Sequence, residues 1–144
     1  MTKTNILSQK PVLQTKAFDV VEYQVEKDGE VHTHNNVHIR DDVFIVPINE
    51  KNEIYLISQY RYLLGQVKLE MPAGVIDAGE EPEEAARREL NEETGLTAGK
   101  LTKIATLDRG GSFIKGKWYV YIAQELTEGD QHLESFEEIK VIKM

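Results

Sequence analysis

Cysteine is absent from this chain of 144 residues, so neither disulfides nor thiol chemistry contributes to its stability or activity. No apolar run approaches bilayer-spanning length. The N-terminal stretch MTKTNILSQK lacks the apolar core of a secretory signal, so a cytoplasmic protein with no membrane partner is expected. Positive charge is in deficit: 17 Lys and Arg stand against 25 Asp and Glu, for a net charge of −8. That balance opposes general binding of a nucleic-acid backbone. It leaves room for an anionic substrate, because bound divalent metals invert the local field. Internal repeats and low-complexity linkers are also missing. The length suits one domain with a real core.

What the chain has in quantity is carboxylate, concentrated in GVIDAGEEPEEAARRELNEETGL, residues 74–96. Pro82 fits a first helical turn, Glu83 and Glu84 suit its positive end, and Gly95 sits where a left-handed residue would stop the helix. A helix turns about 100° per residue, so Glu89, Glu92 and Glu93 share one face. Like charges at that spacing oppose helix formation by a few tenths of a kcal/mol per pair, so a cation is expected among them. Hard carboxylate oxygens suit Mg²⁺ or Mn²⁺, and the chemistry that follows is metal-assisted attack of water on a phosphoanhydride. Arg88 lies one turn before Glu92, where it can neutralise and orient that carboxylate. Ala86 and Leu90 can face a core. Gly74 and Gly79 mark a loop feeding the helix. Taken alone, a Glu-rich helix face also fits plain solvated surface.

The order of these residues resembles the Nudix box, Gly-x5-Glu-x7-Arg-Glu-U-x-Glu-Glu-x-Gly-U with U aliphatic. Gly74, Glu80, Arg88, Glu89, Leu90, Glu92, Glu93, Gly95 and Leu96 fill every fixed position in register. The resemblance implies an α/β (α+β) protein: a Nudix α/β/α sandwich with a mixed central sheet and an N-terminal antiparallel β segment. It implies one domain over residues 1–144, with 1–40 helping to form a homodimer and 41–144 as the catalytic core.

The stretch before the box looks like the ADP-ribose pyrophosphatase branch of that family. Gln59, Tyr60 and Arg61 end a strand, and Glu70, Pro72, Ala73 and Gly74 complete the Glu-x-Pro-Ala-Gly pattern. The resemblance gives Arg61 and Glu70 to the substrate. It gives the Ala73 carbonyl, with Glu89, Glu92 and Glu93, to two or three Mg²⁺ or Mn²⁺ ions. Its physical sense is that arginine offers a planar fork for phosphate oxygens and a carbonyl is a hard metal ligand. Gly110, Gly111 and Ser112, in DRGGSF, correspond to a loop bordering the ribose and phosphates. Their N–H groups could face an anion, and a plain hairpin turn explains them as well.

A mobile loop, HLESFEE (132–138), is the implied source of the catalytic base. Glu137 is first choice and Glu134 second, with Glu92 next if the base lies in the box; Arg88 completes the catalytic set. Glutamates in an exposed loop are equally well read as solvated surface. The expected substrate is ADP-ribose, split to AMP and ribose 5-phosphate. Alternatives are GDP-mannose, an oxidised nucleoside triphosphate, or a non-catalytic nucleotide sensor. Two departures from the subgroup pattern keep the alternatives open: no proline follows Pro82, and the chain ends just after its last strand, where relatives commonly add a helix.

Elsewhere the pattern is strand-like. AFDVVEYQVEK and EVHTHNNVHIR flank a Asp28-Gly29 turn, and DVFIVPI (42–48), IYLISQYR (54–61), KLTKIATLD (100–108), KWYVYIAQEL (117–126) and the final residues read as further strands. Phe18 and Tyr23 are candidates for a base pocket by the same resemblance, beside a packing role. His32, His34 and His38 fall on one face of their strand, where polar sheet surface is favoured over a transition-metal site.

Overall fold

A computed structural model describes residues 4–133 and 135–144. The chain resolves into two compact units. One comprises Met1–Asp41 and Asp108–Lys117, the other Asp42–Leu107 and Trp118–Met144.

The first unit is a sheet in the order β1-β2-β3-β9, from strands Asn5–Gln14, Phe18–Lys27, Glu30–Ile39 and Ile114–Lys115. Asp28 and Gly29 both take positive φ, 55° and 85°, as the tight turn between β2 and β3 requires. β1 pairs antiparallel to β2 with irregularities between Ile6 and Ser8 and between Pro11 and Leu13. Pro11 is tolerated because β1 is an edge strand. All of β1 is exposed, including Ile6, Leu7, Val12 and Leu13. Among the described residues of this unit, Val21 is the one buried hydrophobic.

The second unit carries the core. Two sheets run β7-β4-β10-β8 and β11-β5-β6. Their strands are β4 (Asp42–Pro47), β5 (Tyr55–Arg61), β6 (Gln66–Glu70), β7 (Ala73–Val75), β8 (Leu96–Asp108), β10 (Lys117–Glu128) and β11 (Ile139–Lys143). β4 alternates, with Val43, Ile45 and Pro47 buried. It pairs parallel with β10, Ile45 opposite Tyr121, and antiparallel with β7, Phe44 opposite Ala73. The helix α1 (Pro82–Thr94) lies against β4, β7 and β11, burying Ala85, Ala86 and Leu90 completely. It is the one α-helix among the described residues. The expected mixed fold is therefore present, with α1 as its helical element. Among the described residues no helix is long and apolar enough to cross a membrane.

Both ends of α1 are specified locally. The Glu84 side chain accepts the Glu81 N–H at 3.3 Å ahead of Pro82. Gly95, at φ 72°, donates its N–H to Asn91 O at 2.8 Å and stops the helix. A Cβ there would run into the Gly129 carbonyl.

Candidate active site

One turn of α1 after another brings carboxylates to the same side, and Arg88 organises them. Its Nε and Nη2 donate to Glu80 Oε1 and Oε2, both at 2.9 Å. Nη1 donates to Glu89 Oε1 at 2.7 Å and to Glu92 Oε2 at 3.1 Å, and Nη2 also reaches the Val75 carbonyl at 3.0 Å. One guanidinium thus ties the end of β7 (Val75) and the loop after it (Glu80) to the helix (Glu89, Glu92). Glu80 is further fixed by the Asp77 N–H at 3.0 Å. The Arg88 hydrogen bond pulls Glu80 below the usual carboxylate range, and that same bond, with smaller help from Glu89 and Glu92, holds Arg88 more firmly charged than a free arginine.

Glu93 is buried against the backbone beside this cluster. It is 4% exposed, and its Oε2 accepts the Ala73 N–H at 2.9 Å. Burial pushes its carboxyl up to about 8; the Ala73 bond opposes this, and repulsion from Glu89 and Glu137 adds to it. Burial also raises Glu89, against the pull of Arg88. The backbone at Gly74 passes so close to Glu89 that a Cβ there would overlap its carboxylate. Glycine is needed at that point for close approach.

This donor set fits a divalent cation. Glu93 and Glu89 are crowded acids that burial keeps from ionising freely, and a nearby dication would relieve both burdens. Among the described residues no three acidic or imidazole side chains are already gathered in a metal-holding arrangement. Arg88, the resident cation, takes one oxygen each from Glu89 and Glu92.

Arg61, at the end of β5, donates from Nε to Glu70 Oε2 at 2.8 Å, so these two expected substrate residues are coupled and partly exposed. The Arg61 charge is felt at Glu93, where it lowers the carboxyl. Glu137 follows Phe136 in the loop before β11, and its charge reaches Glu89 and Glu93. That loop is anchored on the helix end: Gln131 Nε2 donates to Glu93 O at 2.5 Å and the His132 N–H to Glu92 O at 3.0 Å. Glu134, the second choice for the base, lies outside the described residues.

Gly110, Gly111 and Ser112 belong to the first unit. Gly110 has φ 80°, the Arg109 N–H bonds Gly116 O at 2.8 Å, and Asn36 Nδ2 donates to Ser112 O at 3.2 Å. These bonds describe a tied turn. In the same unit His38 Nε2 lies 2.9 Å from Tyr23 Oη, and His32 is 3.7 Å from a Glu30 oxygen. The residue that sequence reasoning left without a role is Glu80. Its fixed place six residues after Gly74 was the available signal.

A mixed sheet with a glycine-tight loop folded onto an acidic helix defines a class of hydrolase, and the comparisons place the chain within it. Residues 38–144 match the family model described as NUDIX domain. The chain belongs to the Nudix family and is a Nudix hydrolase. It is 31% identical over 141 residues to the ADP-ribose pyrophosphatase of Bacillus subtilis, covering 96% of this chain and 76% of that protein. It is 32% identical over 138 residues to an ADP compounds hydrolase of Escherichia coli, covering 91% and 74%. A crystal structure of an ADP compounds hydrolase superposes with a TM-score of 0.85 at 29% identity, over 98% of this chain and 77% of that one.

Proposed function

We propose that the chain hydrolyses the diphosphate of a nucleoside diphosphate sugar, with ADP-ribose as substrate and AMP and ribose 5-phosphate as products. The observation that carries this reading is the buried Glu93 carboxylate, held by the Ala73 N–H beside Glu89 and the Gly74 backbone. The names of the relatives supply the substrate class. Ala73, Glu89, Glu92 and Glu93 would hold Mg²⁺ or Mn²⁺. Bound divalent cations would supply an activated water and offset the charge growing on the diphosphate. Arg88 orients Glu89 and Glu92 for that task. Arg61, steadied by Glu70, presents donors to a phosphate oxygen. A panel of ADP-ribose, GDP-mannose, dinucleoside polyphosphates and oxidised dGTP, assayed with Mg²⁺, tests the reading. ADP-ribose should give the highest kcat/KM, and turnover of none of them would leave a nucleotide sensor.

Glu137 is the proposed base, because its charge reaches Glu89 and Glu93 from a loop anchored on their helix. Glu137→Gln is expected to lower kcat about 10²-fold with KM nearly unchanged, since a base acts mainly in the transition state. Steady-state kinetics on Glu137→Gln and Glu134→Gln together check the assignment. A loss confined to Glu134→Gln moves the role within the loop.

The reading includes a homodimer built partly from residues 17–40. Its support is the first unit's thin core and the apolar β1 side chains left exposed on its sheet. Light scattering at micromolar concentration should give twice the 16.4 kDa chain mass. A monomer mass would exclude it.

A further inference from the structure

The C-terminal end of α1 is its electrostatic weak point. Glu92 and Glu93 stand in its last turn, and no basic side chain does. Acids there face the negative pole of the helix, and the last carbonyls have no partner within it. Asn91 O is answered locally, by the Gly95 N–H. The next two carbonyls are answered from far along the chain. The His132 N–H bonds Glu92 O at 3.0 Å, and Gln131 Nε2 bonds Glu93 O at 2.5 Å across a separation of 38 residues. The two segments meet backbone to backbone: a Cβ on Gly129 would stand 3.1 Å from Gly95 O. Downstream the chain is fixed again at Ile139, which pairs with Gln59 where β11 joins β5. Glu137 lies between these two anchors. A segment pinned at both ends samples far fewer conformations than one pinned at a single end.

Resting on the functional reading above, we propose that Gln131 is a positioning residue, whose amide clasps the turn of α1 that carries Glu92 and Glu93 and so sets where the Glu137 loop stands against it. The bond joins the two parts of the site that must meet in the reaction. One is the helical turn whose carboxylates would hold the cation; the other is the loop that supplies the base. The clasp takes the carbonyls of the same two residues, so a shift of that turn moves the loop's anchor with it. Gln131 is itself exposed, so its side chain adds little to the core and can be changed without opening a cavity. An amide suits the task, because it donates to a carbonyl and carries no charge beside the acids. An ionised glutamate in its place would offer no donor and would face the negative end of the helix.

Gln131→Ala, Gln131→Glu and Gln131→Lys are assayed on the best substrate of the panel above, at saturating Mg²⁺ and across an Mg²⁺ titration. Gln131→Ala should lower kcat about tenfold, short of the roughly hundredfold that a misplaced catalytic group costs. KM and the Mg²⁺ concentration for half-maximal rate should stay within about twofold of wild type. Gln131→Glu should be slower still, and Gln131→Lys, whose ammonium donates to the same carbonyl, should recover most of the loss. Amide exchange followed by NMR needs no substrate. In Gln131→Ala the His132 N–H should exchange about five- to tenfold faster, the scale of one hydrogen bond, and the Gly95 N–H at its wild-type rate. In a Glu137→Gln background the same truncation should cost almost nothing further, because both changes act through one loop. Wild-type kcat or wild-type His132 exchange in Gln131→Ala overturns the proposal. So does a loss seen only as a weaker Mg²⁺ response, which would make the bond a plain helix cap, and so does an equal loss on top of a slow Glu137→Gln. If Glu137→Gln runs at the wild-type rate while Gln131→Ala is slow and its His132 amide exchanges fast, the positioning stands and the base assignment falls. A wild type that turns over no member of the panel removes the functional reading, and this proposal with it.

Discussion

Glu93→Gln is expected to lower kcat by at least about 10²-fold at saturating Mg²⁺, the scale of one strong electrostatic contribution. The amide preserves shape and can still accept the Ala73 N–H, so the loss reports charge alone. The same variant should behave in the opposite way when stability is measured without metal. In the folded protein burial lifts the Glu93 carboxyl to about 8 from its ordinary 4.5. The folded state therefore holds this proton more tightly than the unfolded chain does. The resulting stabilisation is complete below pH 4.5 and is lost as pH rises from 4.5 to 8. At about 1.4 kcal/mol per unit, the change is on the order of 3–5 kcal/mol. Metal-free wild type should melt lower at pH 8 than at pH 5.5, and Glu93→Gln should remove most of that difference. Mg²⁺ should restore the wild type at pH 8 and do less for the variant. Parallel melting curves with and without Mg²⁺ check all of this. Wild-type turnover in Glu93→Gln would take Glu93 out of the metal site.

Arg88→Met should unfold more readily and turn over more slowly. Arg88 contacts four partners, two of them carboxylates less than one-fifth exposed. Removing it strands Glu80 and Glu89 with no cation. Breaking a buried ion pair from one side costs about 3–5 kcal/mol, and the part exposure of Arg88 argues for the lower end. The melting temperature of the metal-free protein should fall by roughly 5–10 °C. Misdirected ligands should lower kcat by about 10–100-fold. Arg88→Lys should fall between, because an ammonium keeps the charge and cannot make the two parallel bonds to Glu80. Calorimetry and kinetics on the pair check the expectation; equal stability in Arg88→Met and wild type would contradict it.

The helix was legible because its signals are local. Pro82, the Glu84 side chain and Gly95 act within a turn of the helix they bound, and the observed span Pro82–Thr94 follows from them. The pairing of Arg88 with Glu92 was legible for the same reason, being an i, i+4 contact. β1 was not legible. NILSQKPVLQ has no strict alternation and contains Pro11, so its strand form comes from pairing with β2 and not from its own pattern. Nor could the return of Asp108–Lys117 into the first unit be read, since it rests on two residue pairs, Val37 with Ile114 and His38 with Lys115, far apart in the chain. In the site, the carboxylates of 80–93 were visible as a group. That Glu93 would bond the Ala73 N–H while Glu89 and Glu92 bonded Arg88 was not, because it depends on where β7 packs against the helix.

The clasp on the end of α1 divides labour within single residues. Gln131 and His132 hold the Glu137 loop through the carbonyl oxygens of Glu93 and Glu92, whose side chains serve the site. Every amino acid except proline can occupy those two positions and still offer the same carbonyls in a helix. Chemistry at positions 92 and 93 can therefore be rewritten, acid to amide or acid to alcohol, without unmooring the loop beside it. A lineage that drifted from cleaving its ligand to merely sensing it would lose the acids and inherit the loop intact.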